Sequence, residues 1–198
     1  MPAATVLPTP ALIDATVLWR RIDSPGHDAC RLQSSEAGWS LDGTAIFSQS
    51  GIPAQLAYQV ECDREWHTRW GHVHGWIGAR SVTLDIVRTS RGDWAFNGAV
   101  ITKLGHCVDL DLGFSPSTNL IAIRRLALGI GQAAEASAAW LDVLAESLVP
   151  LPQRYARRAV TTYWYEAPTV EYAAVLEVNS IGFIQHYPGL WEIQDSDC

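Results

Sequence analysis

The chain has 198 residues, 21 acidic against 14 basic side chains, a formal net charge of −7 and 48% apolar residues. A chain of this length can bury about 70% of its unfolded surface, so we expect one substantial core. Nucleic acids and anionic membranes are bound through clustered lysine and arginine, and here the tight basic clusters are only pairs, which argues against both partners. No apolar run approaches the roughly 18 residues of a membrane span.

The N-terminal segment contains three prolines within residues 2–12, so we expect residues 1–13 to be a loose lead-in. No linker or low-complexity run follows, which predicts one domain over residues 14–193. Residues 1–18 contain no lysine or arginine before a short apolar run, unlike a secretory signal. The four cysteines are scattered without a CxxC pair, as is typical of the reducing cytoplasm, where we expect this protein to be located.

Apolar and polar residues alternate through much of the chain. Leu56, Tyr58 and Val60 fall on one face of a predicted strand, opposite Gln59 and Glu61. Half-buried strands of this kind, separated by glycine-containing turns, predict a mostly β fold with a single rolled antiparallel sheet and few short helices. The alternating runs lie within residues 56–63, 82–86, 94–96, 108–112 and 171–179.

Two stretches depart from this alternation. Residues 118–128 combine an apolar run with two arginines and predict a helical turn or a loop. Residues 133–148 are rich in alanine, with Trp140, Leu144 and Leu148 at helical spacing ahead of Pro150. Taken alone, this second pattern predicts a helix.

The polar side chains most suited to chemistry or binding are concentrated in residues 105–126. Two carboxylates two residues apart project from the same face of a strand, and an arginine pair follows a polar loop. Carboxylates close to guanidinium groups form charge-assisted bidentate bonds. Three roles remain open: an internal brace, a polar rim that grips a ligand, and a catalytic carboxylate pair. The candidate residues are Asp109, Asp111, Asn119, Arg124 and Arg125.

Large aromatic residues are a second distinctive feature, since the chain contains nine tryptophans. Tyr163 and Tyr165 share one face of a predicted strand and present two rings and two hydroxyl groups together. Such rings either build the core or line a pocket for sugar faces and lipid chains, and both interpretations remain open. Tyr155 and Tyr187 belong to the same aromatic set.

The stretch DLDLGFSPSTNLIAIRRL, residues 109–126, resembles the signature of the bacterial "putative glycolipid-binding" family. Shorter similarities extend over about residues 14–192 and include an Asp-x-x-Trp-x-x-Arg element at Asp63, a Gly-x-Trp turn at Gly92 and a Gln-x-Tyr element at Gln153. The resemblance and the aromatic set together suggest a ligand site. The expected ligand-binding residues are Trp66, Arg69, Trp94, Asp109, Asp111, Asn119, Arg124, Arg125, Gln153, Tyr155, Tyr163, Tyr165 and Tyr187.

The resemblance implies a spatula-like, duplicated β-roll similar to bacterial lipoprotein-carrier folds. It also implies that residues 133–142 form a strand, and we favour this over the helix because tertiary context overrides local propensity. The chain departs from the family pattern at Ser115-Pro116 and at residues 121–123. Asn179 stands where the family usually has an aspartate, so binding is expected to differ here if that residue contacts the ligand.

The function expected from these features is binding of an amphiphilic small molecule, a glycolipid or lipid, in a concave site lined by tryptophan and tyrosine, without turnover. One alternative is a hydrolase or isomerase that uses the Asp109, Asp111, Arg124 and Arg125 cluster. The other is a structural or interaction protein whose interior is filled by side chains. We expect no cofactor and no metal, because His72 and His74 alone are too few ligands for zinc and neither a GxSxG motif nor a glycine-rich phosphate cradle occurs.

Overall fold

The computed structural model describes residues 14–194, so the predicted lead-in over residues 1–13 lies outside the described residues, as does Cys198. Strands account for 58% and helices for 9% of the structure, which confirms the prediction of a mostly β protein. The strands of the first half are β1 (Asp14–Arg21), β2 (Gly26–Ser35), β3 (Gly38–Gln49), β4 (Ile52–Cys62), β5 (Thr68–Ile77), β6 (Arg80–Arg88), β7 (Trp94–Phe96) and β8 (Ala99–Ile101).

The second half contains one α-helix among the described residues, together with shorter strands. Short 3-10 turns cover residues 102–104, 116–118 and 168–170. The remaining elements are β9 (Asp109–Asp111), α1 (Asn119–Leu126), β10 (Ala133–Glu135), β11 (Ala138–Asp142), β12 (Ser147–Leu151), β13 (Arg154–Arg157), β14 (Thr162–Ala167), β15 (Tyr172–Val178), β16 (Ile184–Tyr187) and β17 (Trp191–Ile193).

Fourteen strands form one large antiparallel sheet in the order β10-β13-β14-β15-β16-β17-β1-β2-β3-β4-β5-β6-β7-β8. The two halves of the chain meet where β1 pairs with β17, with Trp19 opposite Ile193. The two end strands, β10 and β8, do not pair with each other, so the sheet is open and is not a closed barrel. The other three strands form a small sheet in which β9 lies parallel to β11.

The predicted alternation determines which face of the sheet is buried. In β4, Leu56, Tyr58 and Val60 are buried, whereas Gln59 is half-buried and Glu61 is exposed. β4 and β6 direct every second side chain into the core, and burial of this apolar surface stabilises the sheet by about 25 cal/mol for each Å² removed from water. The core extends as one contiguous cluster of buried residues from β1 to β17.

Residues 105–126 cross the inner face of the sheet, and most of their side chains between Cys107 and Ile123 are buried. The backbone N–H of Leu110 donates to Thr68 Oγ1 at 3.0 Å, and the Phe114 ring stacks on Phe47 with the ring centres 6.1 Å apart. A Cβ atom on Gly71 of β5 would lie 2.5 Å from Leu110, so glycine allows the crossing segment to approach the strand closely. The segment that carries the family motif therefore packs against the inner face of the sheet and forms part of the core.

Residues 133–148 are not helical, so the helix predicted from their local pattern is wrong. The extended structure implied by the resemblance for residues 133–142 is present as two strands in different sheets, β10 and β11, and not as one continuous strand. β11 pairs with β12 on one side and with β9 on the other, which buries Ala139 and Leu141. Asp142 closes the turn before β12 by accepting the backbone N–H groups of Leu144 and Ala145. Strand pairing satisfies the backbone here, so tertiary contacts override the helical propensity of alanine.

The helix predicted as one possibility for residues 118–128 is present as α1. It follows Pro116, which begins a 3-10 turn, and it ends where Ala127 adopts a left-handed conformation with φ 44°. Its buried face, from Leu120 to Ile123, packs into the core, and Arg124 and Arg125 occupy its last turn. In the described part of the chain, no helix has both the length and the apolar character that crossing a bilayer demands.

Candidate binding cleft

Asp109 and Arg125 form a bidentate ion pair inside the protein. Arg125 Nε and Nη2 donate to the two carboxylate oxygens of Asp109 at 2.7 and 2.6 Å, and the Asp109 side chain is only 2% exposed. Burial acts to lower the pKa of Arg125, but the bond to Asp109 outweighs it and raises that pKa above its usual value. The pair ties the end of α1 to β9, which matches the geometry of an internal brace.

Asp111 is also engaged by protein groups. It accepts the backbone N–H of Gly113 at 2.8 Å and the side-chain amide of Gln153 at 2.7 Å. Burial raises the pKa of Asp111, although both hydrogen bonds oppose this rise. A catalytic carboxylate needs free access to substrate, whereas these contacts engage both oxygens of Asp111 and join β9 to the start of β13.

The four predicted tyrosines, Tyr155, Tyr163, Tyr165 and Tyr187, are all buried. Asn119 donates to the Tyr155 hydroxyl at 2.9 Å, and the rings of Tyr155, Tyr165 and Tyr187 contact each other in the core. Burial raises the pKa of Tyr155 and Tyr165 well above the usual value, so these hydroxyls stay protonated. Together with the Asp109 and Asp111 contacts, they form a polar and aromatic network within the core.

A separate cleft of about 540 Å³ opens beside the C-terminal end of α1, a volume typical of small-molecule sites. We call it the arginine cleft. Its walls are Trp66, the end of α1, the connection between β13 and β14, and the connection between β15 and β16. Among the thirteen predicted site residues, the arginine cleft brings together Trp66, Arg124 and Tyr163.

The local backbone positions Trp66 in the wall of this cleft. Asp63 Oδ1 accepts the backbone N–H groups of Glu65 and His67, and Trp66 adopts a left-handed conformation with φ 68°. A bulky residue is uncommon in this region, so the turn holds Trp66 at an energetic cost. The ring stacks on Trp39 with centres 4.4 Å apart and an interplanar angle of 16°. The aspartate of the Asp-x-x-Trp element thus orients its tryptophan.

Two guanidinium groups lie against aromatic rings in the walls. The guanidinium carbon of Arg124 is 5.5 Å from the centre of the Trp66 ring, and that of Arg157 is 5.6 Å from the Tyr163 ring. Burial raises the pKa of Tyr163, while the charges of Arg157 and Arg124 act to lower it. Both positive charges therefore act on the same hydroxyl group.

Asn179 shapes the opposite wall, at the start of the connection between β15 and β16. Its Oδ1 accepts the backbone N–H groups of Ile181, Gly182 and Phe183 at 3.0 to 3.1 Å. The residue that departs from the family pattern therefore closes a loop through its acceptor oxygen, a function that an aspartate would also perform.

Replacing Asn179 by alanine is expected to lower the free energy of unfolding by about 2 kcal/mol, because partly buried N–H groups lose their acceptor. Asn179→Asp is the matched control, since it keeps the acceptor and should remain within about 1 kcal/mol of the wild type. Urea unfolding followed by circular dichroism measures both. Equal losses in the two variants would mean that the acceptor oxygen does not hold the loop.

The remaining predicted residues lie elsewhere. Trp94 is fully buried, and its indole N–H donates to the carbonyl of Cys107 at 3.0 Å. Arg69 is exposed and reaches the carbonyl of Ala37 at 3.5 Å. Arg125, unlike its neighbour Arg124, points to Asp109 and does not line the cleft.

The histidines show no arrangement that specifies a metal. His72 bonds Asp85 at 2.7 Å on the outer face of β5, beside His74. Asp63 and His67 come close to Glu65, but Asp63 is already engaged by its own turn. This cluster forms part of the turn that holds Trp66, and nothing else in the described residues points to an ion there.

Sequence reasoning missed several residues of the arginine cleft. Arg157 was recognisable only as one half of a basic pair, and Val160 follows it in a connection without any alternating pattern. Ile123 carries no chemical signal at all, because an isoleucine on a helix is expected in the core. The basic pair is the one feature that could have directed attention to this connection.

The described structure is a mostly β protein with an open antiparallel sheet and a cleft of small-molecule size. The model of the family described as "Putative glycolipid-binding" matches residues 16–193, and the chain belongs to this family, which confirms the resemblance. The crystal structure of a DUF1089 family protein from Pseudomonas aeruginosa is similar, with 28% identity over 97% of each chain and a TM-score of 0.68. No curated protein matches the chain.

Proposed function

We propose that this protein binds an amphiphilic small molecule in the arginine cleft and does not convert it. The observation that supports this most directly is a cleft of about 540 Å³ whose walls combine aromatic and aliphatic side chains with guanidinium groups. Apolar walls provide affinity by removing alkyl surface from water, and a few oriented polar groups determine specificity. The description of the family, glycolipid binding, agrees with a ligand of this type.

The arginine cleft is a different location from the inner face of the sheet, which is the other place where a ligand could lie. Residues 105–126 fill that face, with Leu110 against Gly71 and Phe114 against Phe47. The arginine cleft instead lies at the edge of this filling, where α1 ends. A filled interior and a ligand cleft therefore coexist in this proposal.

The catalytic alternative gains no support from the carboxylates. Asp109 is saturated by Arg125, Asp111 accepts two hydrogen bonds, and neither lines the arginine cleft. For cellular location we keep the cytoplasm as part of the proposal. It is supported by Cys30, Cys62 and Cys107, none of which is in a disulfide.

Native mass spectrometry of freshly purified protein, followed by solvent extraction, tests the proposal directly. We expect a co-purified lipid or glycolipid, or binding of added dodecyl β-maltoside below its critical micelle concentration. If no amphiphile co-purifies, and calorimetry detects binding of neither dodecyl β-maltoside nor dodecyl phosphate, the proposed function is wrong.

Val160→Asp locates the site. Val160 lines the cleft and is 67% exposed, so an aspartate there should leave the fold intact while it places a carboxylate beside the alkyl chain. We expect affinity for dodecyl β-maltoside to fall about tenfold. Val100→Asp is the matched control, because Val100 is 66% exposed and lies outside the cleft. Equal affinities in the two variants would place the ligand elsewhere.

A further inference from the structure

We propose that the ligand of the arginine cleft carries an anionic oxygen group, such as a phosphate, sulfate or carboxylate, held by Arg124 with Arg157 as a second positive charge. This inference rests on the proposed function and specifies the chemical class of its ligand. The shared chemistry is an oxyanion, and its two sources are the head group of an amphiphile and a free inorganic anion.

The charge of the cleft is unbalanced. Its lining contains Arg124 and Arg157 and no aspartate or glutamate. Within residues 14–194, neither arginine has a carboxylate at ion-pair distance, whereas Arg125, next in sequence, is neutralised by Asp109. Two partly buried guanidinium groups in one cleft therefore lack a counterion among the described residues, although the chain as a whole has a charge of −7. Burial makes an unpaired charge costly, so an anionic ligand would gain by neutralising it.

Arg124 has unused hydrogen-bond donors. Its Nη1 reaches the carbonyl of Ile181 at 3.4 Å, and its Nε and Nη2 have no acceptor among the residues that the structure describes. Its guanidinium carbon lies over the Trp66 ring, 5.5 Å from the ring centre, and this contact restricts its movement. A guanidinium held in this way can offer two parallel N–H groups to one oxyanion, the geometry that arginine forms with phosphate and carboxylate.

Arg157 contributes mainly its charge. Its nitrogens donate to the backbone carbonyls of Leu128, Ala159 and Val160, which fixes the guanidinium between the segment after α1 and the connection between β13 and β14. These carbonyls are neutral groups, so the positive charge remains. Because the bonds also hold the loop, Arg157 is unsuitable for mutation, and the test relies on Arg124.

The backbone N–H groups of the loop that Asn179 closes are not available to bind the anion. The N–H groups of Ile181, Gly182 and Phe183, which could otherwise receive an anion, are occupied by Asn179 Oδ1. The Asn179 side chain is neutral, so the wall it forms leaves the arginine charge uncompensated. An aspartate at this position would keep the loop closed and add a negative charge to the cleft.

Calorimetry with three probes tests the inference: dodecyl phosphate, dodecyl β-maltoside and inorganic phosphate, with both amphiphiles below their critical micelle concentrations. We expect dodecyl phosphate to bind at least about tenfold more tightly than dodecyl β-maltoside. Arg124→Gln should remove this preference, and Arg124→Lys should retain part of it because the charge remains. Arg31→Gln is the control, since it removes the same charge from an exposed position of β2 outside the cleft.

Asn179→Asp is a second, independent variant. It preserves the acceptor that closes the loop and should weaken dodecyl phosphate binding more than it changes that of dodecyl β-maltoside. Thermal melting of every variant verifies that the fold is retained. If Arg124→Gln or Asn179→Asp melts at a much lower temperature than the wild type, the test relies on the variant that keeps the fold.

The outcomes separate the two proposals. If dodecyl β-maltoside binds as tightly as dodecyl phosphate and Arg124→Gln changes neither affinity, the anionic inference is overturned and the amphiphile site stands. If inorganic phosphate binds as tightly as dodecyl phosphate, with the same dependence on Arg124, the oxyanion site is supported and the amphiphilic function is overturned. If none of the three probes binds, the anionic inference is overturned, and the proposed function is wrong as well when no amphiphile co-purifies with the protein.

Discussion

Replacement of Arg125 by alanine is expected to lower the free energy of unfolding by about 3 to 5 kcal/mol. The change removes both donors of the bidentate pair and leaves the Asp109 carboxylate, only 2% exposed, without a counterion. Loss of the partner is costly because a buried charge cannot recover its hydration without disrupting the core. Urea denaturation followed by circular dichroism measures the loss.

The control for Arg125→Ala is Arg154→Ala. Arg154 also contacts carboxylates, Glu135 and Glu166, but its side chain is 39% exposed, so its removal should cost no more than about 1 kcal/mol. The double variant Asp109→Leu with Arg125→Met should recover much of the lost stability, because it removes both charges together. Similar losses for Arg125→Ala and Arg154→Ala would contradict the brace that the geometry indicates.

Folding stability is expected to depend on pH through Asp28. This carboxyl group is fully buried in β2 and accepts hydrogen bonds from Tyr58, at 3.1 Å, and from Ser115. Burial raises the pKa of Asp28 from its ordinary value of 3.8 to about 7, although the bonds from Ser115 and Tyr58 oppose the rise. Asp28 is thus protonated in the folded protein at pH values at which it is ionised in the unfolded chain.

The sign follows from proton linkage. Between pH 4 and 7 the folded state binds more protons than the unfolded state, so the contribution of Asp28 is complete below about pH 4 and is lost as the pH rises through about 7. A difference of about three pKa units corresponds to about 4 kcal/mol. The side chain of Asp28→Asn stays neutral at every pH. Between pH 5 and pH 8 the free energy of unfolding should therefore fall less in this variant than in the wild type.

Urea unfolding at several pH values from 5 to 8 checks this prediction. The control is Asp42→Asn, which removes a carboxylate from an exposed position of β3 and should leave the pH dependence of the wild type unchanged. If Asp28→Asn shows the same decline of stability from pH 5 to pH 8 as the wild type, another group causes that decline.

The charged residues discussed above fall into two groups, one in the interior and one at the arginine cleft. Asp109, Asp111 and Asp28 are held by protein donors, and the elements they join belong to the interior. Arg124 and Arg157 instead face a cleft and lack carboxylate partners among the described residues. A motif rich in acids and arginines can therefore serve both packing and recognition, with adjacent arginines in different roles.

The sequence by itself determined the class of fold and much of the local structure. Alternation in β4, β6 and β15 predicted the strands, because a half-buried strand needs apolar residues at every second position. The Asp109 to Arg125 motif identified the family, and the pair of charges within it was recognised as a possible brace.

Only the tertiary structure decided the rest, because the deciding contacts join residues far apart in sequence. Pairing with β9 and β12 made residues 138–142 a strand despite their helical pattern. Helix geometry turned Arg125 inward to Asp109 and Arg124 outward to Trp66, a difference that two adjacent identical residues cannot reveal. The arginine cleft likewise exists only where the end of α1 meets two strand connections, so Arg157 and Val160 became site candidates through folding alone.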